Sequence, residues 1–207
     1  DDPYVTVSQA PALAFLKHAI GWDRREVAMR LRVAAGLGVT DSASRICGWL
    51  GANRDRFAPV MGTVLGDAPI CSIAVGDSVL PTDPTNLAPD ECDRLVPAAL
   101  DGKAIHVGHY LEPRLVYTTD DYLTAPTAIE GRRTMHIGID LFAPDGRAVR
   151  APLDGEVATA IDRANPQDYG GTVVLRHTTD DGDAFFTLYG HLDPASITGL
   201  KPGTRVD

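Results

Sequence analysis

Residues 132–144 read RRTMHIGIDLFAP. Period-2 alternation through this run sets His136, Gly138 and Asp140 on one side and Ile137, Ile139 and Leu141 on the other. The apolar side is expected in a core and the polar side along a groove. Histidine and aspartate are both good zinc ligands. A straight strand, however, holds positions i and i+4 about 13 Å apart, too far to share one ion through bonds of about 2.0–2.2 Å. A bend is required, and Gly138 between the two is suited to make it. A His-x-x-x-Asp spacing is common by chance and more often marks a surface or hydrogen-bonded pair, so its meaning rests on what surrounds it.

Around this stretch the text alternates in the strand manner. KAIHVGHYL, RLVYTTD, HIGIDLF, GEVATAI, TVVLRH and FFTLYGHL are each read as strands, with turn residues between them at short spacing. The N-terminal part reads differently. Ser8 offers an N-cap for a helix carrying Leu13, Leu16 and Ile20, and Asp23 caps a second with Val27, Leu31 and Ala34 on one face. A third, in TDSASRICGWLGANRDRF, turns Ile46, Trp49 and Leu50 inward. The expected class is α+β. A helical segment (1–57) leads through a mixed connecting region with strands (58–125) into a mainly antiparallel, β-sandwich-like domain (126–207).

The chain has 207 residues, 44% of them hydrophobic, and a formal net charge of -9. The acidic balance argues against nucleic acid or an anionic membrane as the main partner, because both demand basic surfaces. Cys47, Cys71 and Cys92 are far apart and odd in number, which fits thiols in a reducing compartment better than a disulfide framework.

Downstream of MHIGIDLFAP come APDGRAVRAPLDGEVATA and GGTVVLRHTTDDGDAFFTLYGHLDPASITGLKPGTRV. This order of motifs resembles the lysostaphin-type zinc metallopeptidases, the glycyl-glycine and peptidoglycan endopeptidases, over about the last third of the chain. The resemblance implies a small antiparallel β domain with zinc in a groove. It places two zinc ligands on His136 and Asp140, and a catalytic, non-ligating histidine on His191 in LYGHL. On a regular strand Tyr189 and His191 share a face, which would aim the imidazole at the groove as a general base or as support for a polarised carbonyl. The family's third ligand and a further histidine come from a His-x-His motif that this sequence does not contain. Its third zinc ligand is therefore expected outside this chain, along with the last strands of the domain. His177 in VVLRH reads as structural. His106 and His109 are three apart, an odd spacing that makes them a poor joint ligand set unless Gly108 turns the chain. Tyr189, His109 and Arg114, with His106, Tyr110 and Glu112, remain candidates for the border of the groove.

The phrases DPYVTVSQAPALAFLKHAI, SIAVGDS and VGHYLEPRLVYTTDDY are similar to the middle region of large bacterial fusions. In these a phosphotransferase-like kinase domain precedes the lysostaphin-like domain and a class III aminotransferase follows. That resemblance implies a cytoplasmic setting, where the peptidase resemblance alone implies export, and a homodimer imposed by the neighbouring domain. Two functional readings stand. One is a zinc metallopeptidase-type domain acting on a peptide or related amide. The other is a non-catalytic module that binds a ligand or spaces its neighbours.

Overall fold

The computed structural model describes residues 41–74, 77–78, 94–95, 100, 105–114, 116, 122, 134–165 and 168–207. The expected helices over 8–22 and 23–38 lie outside these residues, as does most of RLVYTTD. What is described consists mostly of strands, with a curled antiparallel sheet and few helices. Among the described residues no helix is long and apolar enough to cross a membrane.

The sheet is built from three long runs that the sequence marks by alternation. These are β7 (Gly155–Arg163), β8 (Gly170–Thr178) and β9 (Ala184–Leu192), joined by β10 (Arg205–Val206) in the order β10-β7-β8-β9. All neighbours are antiparallel. In β8 the side chains of Val173, Leu175 and His177 alternate inward, while in β9 Phe186 and Leu188 face solvent. Val157, Val173, Leu175 and Ile197 form the buried cluster, with Tyr189, Leu192, Leu200 and Val206 packed around it. Burying each such aliphatic side chain contributes about 1.5–3 kcal/mol. Ile197 reaches the cluster from α2 (Pro194–Ile197), a single turn whose Asp193 N-cap accepts from the Ala195 amide at 3.0 Å. His177 ties the sheet internally. Its Nδ1 donates to the Asp154 carbonyl at 2.9 Å, its Nε2 bonds the Thr187 hydroxyl at 2.8 Å, and its ring stacks on Phe185. The structural reading of this histidine agrees with that placement.

The β8–β9 ladder carries a bulge. Gly171 pairs with Leu192 and Val173 with Tyr189, so Gly190 and His191 face the single residue Thr172. His191 takes a left-handed conformation there (φ 57°), and its amide donates to the Tyr169 carbonyl at 2.6 Å.

Ahead of the sheet the backbone makes short ladders. β1 (Ile73–Ala74) pairs with β2 (Asp77–Ser78), β3 (His106–Val107) with β6 (Leu141–Phe142), and β4 (Glu112–Pro113) with β5 (Met135–His136). Residues 105–114 therefore run back along 134–142, on one side, and touch the preceding chain on the other, where Val107 donates to Pro69 and accepts from Cys71. Two strand expectations are corrected. KAIHVGHYL is interrupted after Val107 by a turn in which Leu111 has φ 57°. HIGIDLF is broken between β5 and β6, so the alternation that was to bury Ile137 and Ile139 does not operate, and both are exposed, at 71% and 60%.

Helix α1 (Asp41–Ala52) corresponds to the third expected helix. It docks on the β8–β9 turn, where Arg45 grips both Asp183 carboxylate oxygens at 2.7 Å. Trp49 donates its indole N–H to Asp180 at 2.9 Å, and the Arg56 guanidinium lies over the Trp49 ring.

Candidate metal centre

The break in the HIGID run does what a straight strand cannot. His136 leaves β5, the chain bends through Gly138, and Asp140 returns just before β6, bringing His136 Nδ1 within 3.8 Å of Asp140 Oδ2. Gly138 keeps the bend open, because a Cβ there would stand 3.0 Å from His136 Nε2 and push the ring aside. Gly108 lies opposite, where its amide donates to the Asp140 carbonyl at 2.8 Å and a Cβ would press on the Asp140 side chain at 3.1 Å. Two glycines thus let two backbone segments close on one carboxylate.

His136 Nδ1 is buried and has no hydrogen-bond partner. Burial holds the imidazole below its ordinary range. Asp140 opposes that shift, and Arg114 and His191 reinforce it. The ring is therefore neutral at pH 7 with a lone pair to offer, the form in which histidine binds metal. Two donors of this kind, 3.8 Å apart, fit a shared metal ion. Tetrahedral bonds of about 2.0–2.2 Å place neighbouring donors about 3.4 Å apart, so a small adjustment closes the gap.

Asp140 already has a cation. Arg114, 4% exposed, bonds Asp140 Oδ2 through its guanidinium and also holds Glu112, with Nε to Oε2 at 2.7 Å. Glu112 is fully buried and accepts in addition from Ser72 Oγ at 3.0 Å and the Ile73 amide at 3.1 Å. Arg114 thus lies beneath the site rather than along an open groove. The sequence placed Glu112 and Arg114 near the groove without pairing them. The available signal was the i, i+2 spacing of the Glu-Pro-Arg run, which sets both side chains on one face.

The remaining candidates separate. His191 stands exposed on its bulge, near enough to His136 to act on it electrostatically. Tyr189 packs against the core cluster, and burial raises its phenol. The bulge has broken the alternation that was to give Tyr189 and His191 one face. His109 lies in the turn after β3, and His106 pairs in register with Phe142. Neither joins the pair, since among the described residues no group of three or more His, Cys, Asp or Glu side chains is placed to hold a metal. Cys71 is buried, and its thiol is pushed up by that burial and by Glu112 and Asp140. It stays protonated, a poor ligand and a poor nucleophile.

Residues 134–207 match the model of Peptidase family M23. The matched segment begins just ahead of His136 and includes Asp140 and His191, which points to a peptidase-type domain in this part of the chain. Peptidases of that family are generally zinc-dependent. No match to the chain is found among curated proteins or solved structures.

Proposed function

We propose that the peptidase-type domain is a zinc hydrolase of peptides or related amides, with His136 and Asp140 as two protein ligands and His191 as the catalytic histidine. The observation that carries this reading is the convergence of His136 Nδ1, buried and unbonded, on Asp140 Oδ2 at 3.8 Å. When bound, zinc supplies Lewis acidity and lowers the pKa of water toward about 7. The protein supplies the rest. His136 stays neutral because it is buried. Asp140 is fixed by the Gly108 amide through its own carbonyl. His191 accepts the proton that the attacking water gives up, and returns it to the amine nitrogen as the carbon–nitrogen bond breaks. The third donor that a catalytic zinc needs is not placed among the described residues.

A second reading, a non-catalytic binding or spacer module among kinase and aminotransferase neighbours, is favoured by one observation. The Asp140 carboxylate is already paired with Arg114.

Incubating the intact protein with a library of glycine-rich peptides, and following cleavage by mass spectrometry, separates the two. The hydrolase reading predicts amide cleavage that stops on chelation and returns with added zinc. Cleavage indifferent to chelation, or none from zinc-loaded protein, contradicts it.

A further inference from the structure

We infer that Arg114 competes with a divalent metal for Asp140, and that the metal binds by displacing it. This rests on the zinc reading above and concerns how that site is loaded.

The geometry sets two cations against one oxygen. Asp140 Oδ2, the atom nearest His136 Nδ1, is also the atom the Arg114 guanidinium bonds. A metal held by His136 and Asp140 would meet a fixed positive charge already on this oxygen. Arg114 has somewhere to go. Its Nη2 also lies 2.5 Å from Glu112 Oε2, and its Nε keeps a second bond to the same oxygen. The guanidinium can release Asp140 and stay paired with Glu112, so the exchange strands no buried charge. Glu112 is itself fixed from the other side by Ser72 Oγ and the Ile73 amide. It holds the arginine in reserve and does not follow it.

The source of the clamp is informative. Ser72, Ile73, Glu112 and Arg114 all precede the segment that matches the peptidase family, residues 134–207. The connecting region thereby reaches into the site of the domain that follows. Without metal, Asp140 is compensated and the bend through Gly138 is held. With metal, the same carboxylate changes partner. Loading is then a competition, and the affinity for zinc is lower than the donors alone would give.

The test is zinc affinity, measured by competition with a chromophoric chelator on the intact protein, for wild type, His136→Ala, Arg114→Gln and the double variant Glu112→Gln/Arg114→Gln. The double variant guards against misfolding, because it removes both buried charges together and leaves neutral amides that can bond each other. Exchange predicts that the double variant, freed of the competing charge pair, binds zinc at least about tenfold more tightly than wild type, and that zinc raises its resistance to urea more than that of wild type. Weaker binding in the double variant would mean that Arg114 orients Asp140 as a supporting donor, which overturns the exchange. Equal affinity in wild type and double variant, with loss in His136→Ala, overturns the exchange and leaves the zinc site standing. No zinc in any of the four proteins overturns both.

Discussion

Gly171→Ala is expected to destabilise the protein by about 3 kcal/mol or more, the largest loss expected of a methyl added at any of the described glycines. A Cβ at Gly171 would stand 2.2 Å from the Leu192 carbonyl oxygen and 2.9 Å from its carbon, with the Pro194 nitrogen at 3.3 Å. All three are backbone atoms, which cannot swing aside as the end of a side chain would. The ends of β8 and β9 must part. That breaks the Gly171–Leu192 pair, loosens the bulge that carries His191, and shifts α2, which delivers Ile197 to the core. Urea unfolding of the intact protein measures the effect, with Gly66→Ala as the reference. Gly66 has open space around a Cβ and no left-handed backbone, so its substitution is expected within about 0.5 kcal/mol of wild type. A Gly171→Ala protein as stable as that reference would contradict the close approach of the two strands.

The second large effect is on chemistry. His191→Ala is expected to reduce peptide hydrolysis by about 10²–10⁴-fold, the usual worth of a positioned proton carrier, while zinc content is unchanged. The conformation sharpens this. At φ 57° a non-glycine side chain sits in a region that costs on the order of 1–3 kcal/mol, tolerated best by Asn, Asp and His. A strained, exposed histidine within electrostatic reach of His136 is held there by the bulge and by its amide bond to Tyr169. His191→Asn, which accepts the same backbone, is expected to keep the fold and lose the activity. Kinetics and elemental analysis on the same preparations decide it. Zinc lost along with activity would make His191 a ligand, and activity retained would remove it from the mechanism.

Strands β7, β8 and β9 were legible as runs of strand-forming residues between turn signals, and alternation assigns faces in the second half of β8 and the first half of β9. Across β7 and at the β9 bulge it does not. The bend at Gly138 was legible too, as a requirement of the ligand geometry. Its consequence was not. Once the strand breaks, alternation no longer assigns faces, and Ile137 and Ile139 turn outward. The bulge at Gly190 and His191 was hidden for a related reason, since periodicity counts residues on one strand and a bulge is defined by its partner. Arg114 was singled out for the wrong surroundings. Its bond to Asp140 spans 26 residues and depends on the register of β4 against β5 and of β3 against β6. His177 was read as structural from the family resemblance, and it lies buried, bonded to the Asp154 carbonyl and the Thr187 hydroxyl and stacked on Phe185.

The central claim is that His136 and Asp140 hold zinc together, and metal content tests it most directly. The intact protein, purified without added metal and reconstituted with zinc, is compared by elemental analysis with His136→Ala and Asp140→Ala treated identically. The account predicts close to one zinc per chain in the wild type and a large loss in each variant. Zinc retained in both variants, or absent from the reconstituted wild type, would contradict it.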